Sequence, residues 1–227
     1  MKRVSTPSFV HKFALAPASR GYVMIDRVED HARRLYNAVL GDLRKKLFVL
    51  KKSAPWQAAR LLPKKSQERI LAFENLRLEA GLSEFHAHAI ANQMRNAGPD
   101  FIQFLGTHVA QKLASRAWDA IEKLLYAKAK RVRFKKKNEF FSFEGKNNET
   151  FVRLLGIEEG NPHILLKDVA YPIKFNVDNP YDIHALGSRV KYVRILKQNI
   201  NSQIRYFAQV VFEGIPYKES VRKLPSP

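Results

Sequence analysis

Leu124-Leu125-Tyr126-Ala127-Lys128-Ala129-Lys130-Arg131-Val132-Arg133-Phe134-Lys135-Lys136-Lys137 is the stretch at which one kind of sequence gives way to another. Upstream of it, apolar residues recur every three or four positions, the period of a helix with one buried face. Downstream, aromatic and β-branched residues come in short runs separated by Gly, Asn, Asp and Pro, the spacing of short strands joined by turns. The junction itself, Lys128 to Lys137, holds seven cations in ten residues and no acid.

Working upstream, a helix is predicted from about Asp100 through Val109, Leu113, Ala117, Ile121 and Leu124 to Lys130. Before it, Ser83 starts a helix carrying Phe85, Ala89, Ile90 and Met94, which Gly98-Pro99 stops. Ser66 starts another with Ile70, Phe73, Leu76 and Leu78, which Gly81 ends. A serine at these positions supplies an acceptor for an unpaired N–H of the first turn. Pro55 and Pro63 bracket a short connector that carries Trp56. From about Arg27 to Leu50, Val28, Leu35, Val39, Leu43 and Leu47 recur at helical spacing. Ahead of all of these, Ser8 to Leu15 alternates, with Phe9, His11, Phe13 and Leu15 on one side, as a strand does.

Downstream, the runs Val132 to Lys136, Phe140 to Phe143, Phe151 to Leu155, Ile164 to Lys167, Ile173 to Val177, Val190 to Ile200 and Arg205 to Phe212 predict a meandering sheet or small barrel. Its last two strands form a hairpin around Asn199 to Ser202. A lone first strand needs a partner, and the later strands supply it. The expected fold is therefore α+β: a β-barrel module begun by residues 1–22, interrupted by an inserted helical bundle over 23–130, and resumed over 131–227.

Forty Lys and Arg against twenty-one Asp and Glu leave a formal charge of +19 on 227 residues. Such a charge opposes compaction and is normally kept because a polyanion neutralises it, and nucleic acid is the leading partner. A membrane is not expected, for no amphipathic helix with a basic face, lipidation signal or long apolar run is evident. The absence of cysteine excludes disulfides and thiolate metal sites and suits a reducing cytoplasm. His11 and Lys12 interrupt the N-terminus before a signal-peptide length of apolar residues develops.

Lys128, Lys130, Arg131, Arg133, Lys135, Lys136 and Lys137 are the candidate phosphate contacts, each displacing a counterion. Phe134, Phe140, Phe141 and Phe143 flank them, as core residues or as surfaces for stacking bases. Arg33 and Arg34, with Arg44 to Lys46, make a second basic surface on the first long helix. For catalysis the search fails: no Walker loop, dinucleotide fingerprint or nucleophile elbow is present, and the acids Asp100, Asp119, Glu122, Asp168, Asp178 and Asp182 are scattered. Glu84 and His88, four apart, read as a surface pair rather than metal ligands. No cofactor and no metal are expected.

Leu35-Tyr36-Asn37, Gln111 to Trp118, Ala129 to Lys137, and Ser142-Phe143-Glu144-Gly145-Lys146-Asn147-Asn148, in this order, resemble the N-terminal half of TnpB-type transposon proteins, RNA-guided DNA nucleases related to type V CRISPR effectors. The likeness runs from Phe9 to about Phe212. It implies a wedge-like β-barrel with a helical recognition lobe inserted, gripping a guide-type RNA and target DNA. Carried over by position, Arg131, Arg133, Lys135, Lys136, Lys137 and Lys146 become backbone contacts, while sequence reading falls to base pairing. Family members continue into a RuvC-like nuclease domain and a cysteine-rich zinc ribbon, whereas this chain ends at Lys223-Leu224-Pro225-Ser226-Pro227. The expectation is a protein that does not cleave DNA unaided, either a truncated or frameshifted relative whose nuclease half is missing or encoded separately as a partner, or a shortened protein kept for binding alone. The rivals are a non-guided ribonucleoprotein component and, third, a complete phosphodiesterase.

Overall fold

The computed structural model describes residues 6–126, 128–137, 139 and 142–218. The chain divides into two compact units, one made of the residues up to Met24 and from Glu144 onward, the other of Ile25–Phe143.

The first unit opens with β1 (Ser8–Leu15) and, after the helical residues, continues through β3 (Val152–Leu155), β4 (His163–Leu166), β5 (Val169–Lys174), α7 (Pro180–Leu186), β6 (Val190–Ile200) and β7 (Gln203–Glu213); β2 (Ser142–Glu144) lies at the boundary between the units. Among the described residues the strands form one seven-stranded sheet in the order β2-β6-β7-β1-β5-β4-β3, curled into a half-barrel. β1 is central, antiparallel to β7 along its length and to β5 at its end, so the strand farthest away in sequence is the one that joins the two halves. The sheet curls until β3, at one edge, comes back to β6. Asn148 helps hold that return: its side chain accepts from the Leu154 N–H at 2.7 Å and donates to the Leu154 carbonyl at 3.1 Å.

Alternation decides which face is dry. Phe13 and Leu15, Val152 and Leu154, Ile164 and Leu166, Tyr171 and Ile173, Val193 and Ile195, and Ala208 and Val210 are all buried, two apart on their strands. Side chains at i and i+2 share a face, so these residues fill one interior. Beside them Tyr22 stacks on Tyr206 at 4.1 Å and donates to the Leu15 carbonyl; burial pushes its phenol up from the usual range.

The second unit is helical: α1 (Val23–Lys52), whose first two residues belong to the other unit, then α2 (Ala54–Leu61), α3 (Gln67–Glu79), α4 (Glu84–Ala97), α5 (Pro99–Phe104) and α6 (Thr107–Leu125). α1 buries Ile25, Val28, Ala32, Leu35, Val39, Leu43, Leu47 and Leu50, a stripe at helical spacing. Each Val, Leu or Ile among them contributes about 1.5–3 kcal/mol on burial. Asp26 in the first turn and Lys51 and Lys52 in the last complement the helix dipole. α4 packs on α6, with Ala87 and Ala91 on one and Ala110, Ala114 and Ala117 on the other, small residues that let the helices approach. Ser66 and Ser83 cap α3 and α4 as the sequence predicts.

Three readings are corrected. The Trp56 connector is a helix, α2, because Ser53 caps the Trp56 N–H and Pro55 sits in the first turn, where its missing N–H costs nothing. The long helix from Asp100 to Lys130 is two: Leu105 is extended (φ −129°, ψ 118°) and Gly106 caps α6, which ends at Leu125. Arg95 stabilises the break by donating to the Leu105 carbonyl at 2.7 Å. Val132 to Lys136 belongs to no strand. The hairpin at Asn199 to Ser202 is present, with β6 and β7 paired from Ile200–Gln203 outward.

Candidate nucleic-acid interface

The cations at the junction form a strip on the helical unit. Lys128, Lys130, Arg131, Arg133, Lys135, Lys136 and Lys137 are all exposed, and from Arg131 to Lys136 the backbone is neither helix nor strand. A helix here would stack Lys128, Arg131 and Lys135 on one face, where like charges three and four apart repel. A ladder position would set the same charges against a neighbouring strand. The chain is held instead by a side chain of α1. Asn37 Nδ2 donates to the Lys135 carbonyl at 2.8 Å, and the Lys135 N–H donates back to Asn37 Oδ1 at 2.8 Å. One amide thereby takes the place of a strand neighbour.

Phe134, 45% exposed, lies against Gly41 of α1, and the Arg44 guanidinium stands 5.3 Å from its ring centroid. That contact anchors the strip at Phe134. The odd-numbered cations Arg131, Arg133 and Lys135 line a cleft of about 400 Å³ together with Arg116 and Lys123 of α6. Asp119 is the one acid in the lining, and Tyr36 also belongs to it. Burial raises the Tyr36 phenol above its usual range, against the opposing pull of the Arg116 charge, so at neutral pH it is an uncharged donor and acceptor. Arg116 also donates to the Ser142 carbonyl at 2.8 Å.

Five cations against one carboxylate give the cleft a positive charge. Lys128, Lys130, Lys136 and Lys137 extend the charge beyond the cleft. Arg33 and Arg34 are not in its lining. Arg33 is tied to Asp30 at 2.7 Å and is only part-exposed, whereas Arg34 is exposed, 5.4 Å from the Phe101 ring centroid. Lys146 is exposed on the β unit. Of the flanking phenylalanines, Phe143 is buried at 2% exposure, and Phe140 and Phe141 lie outside the described residues. Sequence reading did not single out Arg116 and Lys123 as phosphate contacts, yet they stand seven apart on α6, two turns along one face, and a helical projection aligns them.

Several cations of the sheet are bonded within it. Arg194 is paired with the buried Glu144 at 2.6 Å and donates to Gln209, Lys191 bonds Thr6, and Lys197 lies over the Tyr206 ring. His11 meets the buried Asp182 at 2.7 Å, and Asp182 also accepts from the Asn176 N–H, so this carboxylate holds α7 to β1. Ser115 stands between Glu84 and His88, bonded to both. Among the described residues no three His, Asp or Glu gather as metal ligands, and no helix is long and apolar enough to cross a membrane.

No protein-family model matches this chain, and no curated protein is significantly similar to it.

Proposed function

We propose that this chain binds nucleic acid, holding a guide-type RNA and DNA in the manner of the N-terminal half of TnpB-type proteins, and that it carries no catalytic site. The observation that supports this most strongly is the strip Arg131–Lys137, tied to α1 through Asn37 at Lys135, with exposed cations beside a cleft whose lining has a single acid. A run of exposed cations along one cleft suits a phosphate backbone, which is contacted without regard to sequence. The β unit is then the wedge-like barrel and Ile25–Phe143 the recognition lobe, with sequence read by base pairing.

The test is to purify the protein from its host at moderate salt and sequence the RNA that accompanies it. One discrete species mapping beside the gene is expected. A heterogeneous mixture would overturn guided binding and leave a basic ribonucleoprotein component.

A further inference from the structure

The helical unit contains a second hollow, of about 790 Å³, that the cationic strip does not line. It opens between the α2–α3 hairpin and the end of α6. This hairpin is thinly packed: α3 has no fully buried residue and α2 has only Ala59. Aromatic surface is therefore left uncovered. Trp56 and Phe73 are half-buried with ring centroids 4.5 Å apart, and Tyr126 is 55% exposed.

Cations surround these rings. Lys51, Arg60, Arg69 and Arg77 line the hollow with Glu74 as the one acid. Arg69 and Arg77 are partly committed to the fold, donating to the Leu62 and Leu82 carbonyls. Arg60 is exposed and bonds only Gln57, on its own helix, at 3.2 Å, so its guanidinium and the Lys51 ammonium are available to an anion. A groove for an apolar helix has no use for four cations, and a bare phosphate site has no use for three aromatic rings. Flat π surface rimmed by positive charge matches a ligand that has both a planar face and a phosphate. The volume is within the range that encloses a small ligand.

We infer that this hollow takes one unpaired nucleotide of a single-stranded nucleic acid, its base stacked on Trp56 beside Phe73 and Tyr126 and its phosphate at Arg60 and Lys51. The site differs in kind from the strip, which neutralises phosphates whatever the base, and it stands whether or not the bound RNA is a guide.

Fluorescence anisotropy of two labelled probes tests it: hexa-adenylate, and an abasic hexamer of the same charge. Base-aromatic stacking predicts that the wild-type protein prefers hexa-adenylate by about tenfold or more. Trp56→Ala erases the preference while Trp56→Phe keeps most of it, and Arg60→Ala weakens both probes. Tyr126→Ser, at a side chain 55% exposed, lowers the preference several-fold and guards against a Trp56→Ala protein that fails to fold. Equal affinity for the two hexamers, or a preference that survives both variants in folded protein, overturns the inference. So does an acidic amphipathic peptide that binds tighter than hexa-adenylate and is lost in Trp56→Ala.

Discussion

Asn37 is the residue on which the shape of the cationic strip depends. Its amide makes two hydrogen bonds to the backbone of Lys135, and alanine there removes both. Because the segment is exposed, water replaces much of what is lost, and Asn37→Ala should cost only about 0.5–1.5 kcal/mol in chemical denaturation. The larger expected effect is on RNA affinity, several-fold weaker because the cations remain but their spacing is no longer held; unchanged affinity would deny Asn37 that part. Asp30 makes a separate prediction. Burial acts to raise its carboxyl, but the hydrogen bond and charge of Arg33, with the charges of Arg34 and His31, outweigh burial and hold it below the usual carboxylate range. A carboxyl lowered in the folded state contributes stability that is present above its ordinary range and lost as pH falls through the lowered value. The melting temperature of Asp30→Asn should therefore lie slightly below wild type at about pH 5 and above, and the gap should close in stronger acid. A gap independent of pH would mean that Asp30 acts through something other than its charge. At this scale the sequence was half legible. Lys128 to Lys137 stand out by composition alone, whereas Arg116 and Lys123 become part of the cleft only once α6 is known to turn that face toward the strip.

Among elements, the most legible were those whose signal is local. Ser66 and Ser83 announced α3 and α4 because a cap is a property of four consecutive residues. Gly81, at φ +67°, ended α3 for an equally local reason. The errors came where one residue type has two uses. Pro55, a residue that breaks helix interiors, here initiates α2, and Gly106, which interrupts no apolar period, caps α6. The β6–β7 hairpin illustrates a compromise the sequence makes. Asn201 and Ser202 both adopt positive φ, +51° and +62°, as a two-residue turn between right-twisted strands requires. Asparagine tolerates that region and serine does so at a cost. Ser202→Gly should raise stability by about 0.5–1 kcal/mol, read from the denaturation midpoint at constant slope. A loss of stability would mean that the serine side chain makes a contact worth more than the strain.

At the level of the whole molecule, the prediction that succeeded best rested on a simple need. The strand Ser8 to Leu15 precedes more than a hundred helical and basic residues and has no neighbour until β5 and β7 arrive, so the chain had to return to it. The α+β class followed from two periodicities, one on each side of the junction. What composition did not reveal is how the positive charge is divided. In the β unit, Arg194 and Lys191 bond to neighbouring side chains and Lys197 lies over the Tyr206 ring. In the helical unit, Arg131, Arg133 and Lys135 stand in a cleft with a single carboxylate. The net charge of +19 thus includes cations already bonded within the fold, such as Arg194 and Lys191, and cations left exposed, such as Arg131, Arg133 and Lys135.

The most direct test of that division is the salt dependence of RNA affinity for the wild-type protein and for the triple variant Arg131→Ala, Arg133→Ala, Lys135→Ala. Each phosphate contact contributes about 0.7–0.9 to the slope of log affinity against log salt, so the triple variant should bind more weakly across sequences with a slope lower by about 2–3. An unchanged slope would contradict the assignment of the strip as the phosphate-binding surface.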